Sequence, residues 1–221
     1  MPQSREDAWT GLWLANKLEN HSNITAALAV SSNRVRVKRN VGDEYEVATM
    51  ALMDVNKSDL LDILTIESGV SFVTNILTNA YYHGSVIELA ENKKIVLGDL
   101  SDFFRAMRAD HPRYYINPDV KFILRGLKQH TRISNVKRLD DQRYQLERIG
   151  LNPVVILALH DYDLSADSIR NGLDKYGLCD AIFAANPNCR PTALARDAAN
   201  FAGIQIYKWK ELLGALNRSW S

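Results

Sequence analysis

Two hydrophobic rhythms alternate along this chain. One has the 3.6-residue period of an amphipathic helix and the other is the short apolar run or strict alternation of a strand. Residues 4–20 recur at helical spacing through Trp9, Leu12, Trp13 and Leu18, with Ser4 and Asp7 placed as a helix start. Ile24 to Val30 is apolar, and Ser31-Ser32-Asn33 is a turn signal. Arg34-Val35-Arg36-Val37-Lys38-Arg39 then alternates charge with valine, the period of a strand with one dry and one wet, positive face. Together these two stretches predict a hairpin. Tyr45 to Met53 reads as a strand, Ser58 to Ile66 as a helix, Val70 to Thr74 as a buried strand and Val86 to Asn92 as a helix. Ile95 to Gly98 then reads as a strand and Ser101 to Met107 as a helix.

The segment 109–119 carries Pro112 and Pro118 and reads as a connection. Residues 120–149 read as two helices interrupted near Thr131 to Asn135. Asn152-Pro153 stops helix formation, because the proline ring disfavours the helical region for the residue before it. A second series follows: strand Val154 to Leu159, helix Ser165 to Tyr176, strand Ala181 to Ala184, helix Thr192 to Ala202, strand Ile204 to Tyr207 and a last helix Lys208 to Leu216. Helices separating short apolar strands imply parallel pairing.

The two series share words as well as order. Ala51-Leu52-Met53-Asp54-Val55-Asn56-Lys57-Ser58 lines up with Ala158-Leu159-His160-Asp161-Tyr162-Asp163-Leu164-Ser165, with four of the eight positions identical. Phe72-Val73-Thr74-Asn75 lines up with Phe183-Ala184-Ala185-Asn186, and Leu89 to Met107 matches Ala198 to Leu216 without a gap. The expected fold is therefore α/β, two tandem copies of a strand-helix-strand-helix-strand-helix unit. The first copy is preceded by a helix and a β-hairpin and spans residues 1–110. The second spans 111–221 and carries the basic 120–149 insert, read as helical.

Composition is that of an ordinary globular protein, with 46% hydrophobic and 24% charged residues and a formal net charge of +1. Cys179 and Cys189 are read as reduced thiols. The N-terminus lacks an apolar signal core and no run approaches the ~20 apolar residues of a membrane span, so the expected location is cytoplasmic. There is no His-x-x-x-His, no zinc spacing, no Gly-x-Gly-x-x-Gly, no Walker A loop and no Gly-x-Ser-x-Gly elbow.

Two sets of residues carry candidate chemistry. Asp54 and Asp161 close apolar strands, where open α/β sheets gather ligands, and Asp163 adds a third carboxylate. Each has a plain alternative as a turn or cap residue. Asn75 and Asn186 follow strands in the same way. The second set is basic: Arg34, Arg36, Lys38 and Arg39 on the hairpin, and Lys128, Arg132, Lys137 and Arg138 within residues 121–148. That segment holds eight cations against three acids, an asymmetry suited to phosphates.

The order of a strand ending in Thr-Asn, an alanine-containing helix, a short strand and a helix resembles the C-terminal half of Mrr-like domains of the restriction-endonuclease superfamily. It stands here at Val70 to Asn75 with Ile95 to Leu100, and again at Ala181 to Asn188 with Ala195 to Ala202 and Ile204 to Leu213. The resemblance covers about half the chain and implies a nuclease-like scaffold. Such nucleases hold Mg²⁺ with an Asp on one strand and a Glu-x-Lys or Gln-x-Lys on the next. Here Arg36-Val37-Lys38 stands where that motif would sit, and Asn56 and Asp163 stand where a lysine would follow Asp54 and Asp161. Magnesium is implied only if the protein cuts, with Asp54, Asp161 and Asp163 as its ligands. The expected function is association with nucleic acid, DNA before RNA, as a subunit of a DNA-processing or defence assembly or as a homo-oligomer away from membranes. Two other classes stand beside it. One is an α/β domain that binds a nucleotide or other small ligand at its strand ends. The other is an interaction subunit with Trp9, Trp13, Trp209 and Trp220 as partner-facing surfaces.

Overall fold

Each half of the chain builds a five-stranded mixed sheet covered by helices on both faces. The computed structural model describes residues 9–65 and 69–220. The chain divides into two compact units, Met1–Asn117 and Pro118–Ser221.

In the N-terminal unit, helix α1 (Thr10–Leu18) leads into a meander of β1 (Ile24–Ser31), β2 (Arg34–Arg39) and β3 (Glu44–Met50). Short β4 (Asp54–Val55), α2 (Lys57–Thr65), β5 (Val70–Asn75), short β6 (Tyr81–Tyr82), α3 (Gly84–Lys93), β7 (Val96–Asp99) and α4 (Leu100–Arg108) follow. The main sheet runs β1-β2-β3-β5-β7, antiparallel across the meander and parallel from β3 onward. Alternation decides the faces. Val35, Val37, Tyr45, Val47 and Phe72 point to α1 and α4, where Leu14, Leu18, Phe103 and Met107 meet them. Ala48, Met50 and Val73 point the other way, to Leu60 of α2 and Val86 and Ala90 of α3. Burial of each such large apolar side chain contributes roughly 1.5–3 kcal/mol.

The C-terminal unit is α5 (Pro118–Lys128), β8 (Ile133–Arg138), β9 (Arg143–Arg148), β10 (Leu151–Leu159), α6 (Ala166–Tyr176), β11 (Ala181–Ala184), α7 (Ala193–Phe201), β12 (Gln205–Tyr207) and α8 (Trp209–Ala215). Its sheet order, β12-β11-β10-β9-β8, is the same meander followed by the same two parallel strands. Ile123, Leu127 and Leu212 of α5 and α8 pack on Tyr144, Leu146, Val154, Ile156 and Phe183. On the other face Gly172 of α6 lies against Leu157 and Leu159.

The α/β class and the repeated strand-helix order are thus present, and one expectation is corrected. Residues 120–149 are not two helices. They are one helix and a hairpin, so the second unit has the same front end as the first. The hairpin turn is held by the buried carboxylate of Asp140, which accepts the backbone N–H groups of Gln142 (2.9 Å) and Arg143 (2.6 Å). The boundary also moves. Residues 111–117 belong to the first unit, because Tyr115 Oη and Asn117 Nδ2 each donate to Asp102 Oδ1 at 2.9 Å and Arg113 lies over the Tyr45 ring. The expected N-terminal cap at Ser4 and Asp7 lies outside the described residues.

The two units keep one register throughout, 109 residues apart. Ile24 pairs Arg39 as Ile133 pairs Arg148, each with an irregularity immediately after the isoleucine. Val35 pairs Val47 as Tyr144 pairs Ile156, and Val73 pairs Leu97 as Ile182 pairs Ile206. Tyr81 N–H donates to Met53 O as Arg190 N–H donates to Tyr162 O. Lys94 and Gly203, both with positive φ (56° and 71°), end α3 and α7 alike.

Identical polar residues at this spacing serve the frame. Arg39 donates to Ala109 O (2.8 Å) and Arg148 to Arg218 O (2.7 Å), so each ties the meander to the segment after the unit's last helix. His21 and His130 each accept, at Nδ1, the N–H two residues on.

Candidate functional site

The register corrects the sequence comparison where it bore on chemistry. Asp54 stands opposite Asp163 in the repeat, whereas Asp161 corresponds to Leu52. Asn75 likewise corresponds to Ala184, and Asn186 to Leu77. The two alignments are slipped by two residues in opposite directions. A two-residue slip leaves the inward–outward alternation of a strand intact, so the apolar pattern does not betray it.

Asp54 lies at the surface, its Oδ1 2.7 Å from His83 Nε2, with the Tyr81 ring edge-on to the imidazole. Asp161 accepts from Ser168 Oγ at 3.2 Å beside the N-terminal turn of α6. Asp163 is exposed on the same strand-to-helix connection. Among the described residues no group of three or more His, Cys, Asp or Glu side chains is placed to hold a metal ion. The described residues therefore do not fit the magnesium site that the nuclease resemblance implies. His160 Nδ1 lies 3.9 Å from Asp119 Oδ2, and burial holds its pKa below 6.5 against the pull of Asp119 and Asp161.

Asn75 is fully buried and committed. Its Nδ2 donates to Leu52 O (2.6 Å), and its Oδ1 accepts from the N–H groups of Leu52 and Leu77. Asn186 closes a similar turn more loosely, accepting from Asn188 N–H and donating to His160 O at 3.4 Å. Cys179 and Cys189 are free thiols, Cys179 pushed up to about 11 by burial.

The basic hairpin of the first unit is mostly consumed. Arg34, expected on a wet face, is 4% exposed. Its guanidinium pairs with Glu46 at 2.8 Å and donates to Ile63 O at 2.6 Å beneath α2. Arg39 holds Ala109 O, Arg36 pairs with Glu44 at 3.2 Å, and Lys38 is exposed but stands opposite Glu44. Acidic residues on β3 thus offset the cations of β2.

The second unit differs. Lys128, Arg132 and Lys137 are exposed and make no ion pair with the described residues, while Arg138 is partly buried. Lys121 and Arg125, two of the eight cations of 121–148 not singled out above, complete the pattern: with Lys128 they fall at i, i+4 and i+7 on α5, opposite the buried Ile123 and Leu127. That spacing was present in the sequence as a helical stripe. Arg143 and Arg148 are structural, the first bound to Asp140 and the second 5% exposed under Trp220.

Beside α5 is a cavity of about 270 Å³ whose lining includes the rings of Phe122 and Trp209, Ala184 and Asn186 after β11, and Lys208 and Lys210. Trp209 packs on Phe122 (5.4 Å) and Phe183 (4.9 Å). Gly126 makes room for it, since a Cβ there would stand 1.9 Å from the indole. Trp209 is half-buried, packed on two rings and lining this cavity. Trp220 is half-buried, donates to Ala215 O and packs on Tyr207. Trp9 and Trp13 are exposed, at 65% and 41%.

No protein-family model, curated protein or solved structure matches this chain. Among the described residues no helix is long and apolar enough to cross a membrane.

Proposed function

We propose that the two units are diverged copies of one frame, and that the protein binds nucleic acid through the outer surface of α5 without cutting it. One observation carries this reading. Lys121, Arg125, Lys128 and Arg132 are exposed and without ion pairs among the described residues, while their counterparts in the first unit are Leu12, Asn16, Glu19 and Asn23. The same frame folds without those cations, so its stability does not require them. A helical stripe of three cations extends about 10 Å along the axis and presents them to one line of phosphates. The hairpin of the first unit is left out of this reading because Arg34 and Arg36 pair with Glu46 and Glu44 and Arg39 holds Ala109 O, which leaves Lys38 alone.

The test is the salt dependence of binding to labelled DNA and RNA. A Lys121→Glu/Arg125→Glu/Lys128→Glu variant should lose affinity at every ionic strength. Its log–log salt slope should fall by roughly 2 to 3, one counterion per phosphate contact removed. An unchanged slope would assign binding elsewhere. Cleavage in Mg²⁺ by the wild-type chain would overturn the non-catalytic part.

A further inference from the structure

We infer that the cavity beside α5 receives one unstacked nucleotide of a single strand, its base against the Phe122 and Trp209 wall and its phosphate between Lys208 and Lys210. This rests on the reading above and narrows it to a substrate class. Phe122 is 47% exposed, yet its ring packs on Trp209, which in turn packs on Phe183 and sits in the Gly126 notch. A rigid, half-exposed aromatic face is the platform on which any base can stack. The cavity volume of about 270 Å³ sits just below the ~300–1,000 Å³ range of small-ligand pockets, a size for one nucleotide rather than a dinucleotide. Phe122 follows Lys121 on α5, so the wall and the cation stripe belong to one element, and a strand tracking the stripe passes the cavity. Bases inside a duplex are stacked and cannot enter, which makes the site selective for single strands.

The first unit shows that the frame does not impose this cavity. Its equivalents of Ala184, Trp209, Lys208 and Lys210 are the committed Asn75, Leu100, Asp99 and Ser101. Asp99 there caps α4 by accepting Asp102 N–H at 2.8 Å. Three features unneeded by the fold, namely the small Ala184 in place of an asparagine, the tryptophan with its glycine notch and two lysines for an acid and a serine, converge on one cavity.

The experiment uses the full chain with a labelled 12-nucleotide oligothymidylate, its duplex with oligodeoxyadenylate, and a 12-nucleotide oligouridylate. Fluorescence anisotropy across a salt series is the readout. The wild type should prefer the single strands over the duplex about tenfold or more at matched salt. Phe122→Ala should erase most of that preference while duplex binding stays put, and Phe122→Tyr, which keeps the ring, should retain it. Lys208→Gln/Lys210→Gln should lower the single-strand salt slope by roughly 1.4. Equal preference in the wild type and Phe122→Ala, with duplex binding intact, would overturn the cavity assignment and leave polyanion binding by α5 standing. Failure of the wild type to bind any of the three probes would remove both. Thermal melting of each variant checks that the second unit is still folded.

Discussion

Helices α1 and α5 occupy the same place in the same frame and present different surfaces to solvent. Leu14 and Leu18 of one and Ile123 and Leu127 of the other are all fully buried against equivalent sheet positions. Outward, α1 shows Leu12 and Trp13 with Trp9 just before its first residue, while α5 shows Lys121, Arg125 and Lys128. The inward stripe is dictated by packing and cannot drift far; the outward stripe is free to record function. Comparing the two separates what the fold demands from what it merely tolerates. On that basis the identical Arg39/Arg148 and His21/His130 pairs are scaffold, and the differing outer residues are the place to look for binding.

The inward half of the comparison carries the largest expected effects. Leu18→Ala and Leu127→Ala should each destabilise their own unit by about 3 kcal/mol, the usual cost of a fully buried leucine truncated to a cavity. Urea unfolding monitored in each half checks this, and a silent substitution in one unit would break the equivalence. Gly126→Ala should cost roughly 1–3 kcal/mol by forcing Trp209 aside, and Trp209→Leu, the residue at the matching place in the first unit, should relieve part of it in the double variant. Additive penalties would show that the notch and the indole are not a pair.

A smaller effect is expected at the matched helix ends. Gly203→Ala should destabilise by about 1 kcal/mol, because φ is 71° there, whereas Lys94→Gly should stabilise by up to about 1 kcal/mol. Opposite signs from thermal melting would sharpen the correspondence. The smallest effect concerns pH. His160 titrates below 6.5 when folded, so the unfolded chain binds the proton more readily and stability falls as pH drops below about 6.5. His160→Gln should flatten that limb of the urea midpoint against pH, while a limb due to His21, also depressed by burial, remains.

Much of the frame is legible in the sequence. The charge–valine alternation of Arg34 to Arg39 gave the hairpin, and the apolar runs of Val70 to Thr74 and Ala181 to Ala184 gave the inner parallel strands. The second hairpin was misread because Ile133 to Arg138 and Arg143 to Arg148 carry many charged and polar residues, and because their turn is closed by Asp140 rather than by glycine. Its signal was the alternation of buried Tyr144, Leu146 and Arg148, which has period two. The slipped alignments followed local identity, Ala-Leu-x-Asp on Ala-Leu-x-Asp, where backbone pairing follows the pleat. The site was legible only in part. Lys128 and Arg132 stand out as charges, but Phe122 lies far along the chain from Lys208-Trp209-Lys210 and meets them only through packing. Arg34 was misplaced because alternation names a face without saying that Ile63 O and Glu46 lie over it.

The shared register has a bearing on assembly of the chain itself. A nascent strand of either half carries pairing instructions that the other half's sheet can read, and repeated units are prone to such exchange. Discrimination falls to side chains at the outer strands: β1 reads Ile-Thr-Ala-Ala-Leu-Ala-Val-Ser without a charge, while β8 ends in Lys137 and Arg138. Lys137 in place of Leu28 would meet Arg36 across the pair, a repulsion of roughly 0.2–1 kcal/mol that disfavours the exchanged hairpin.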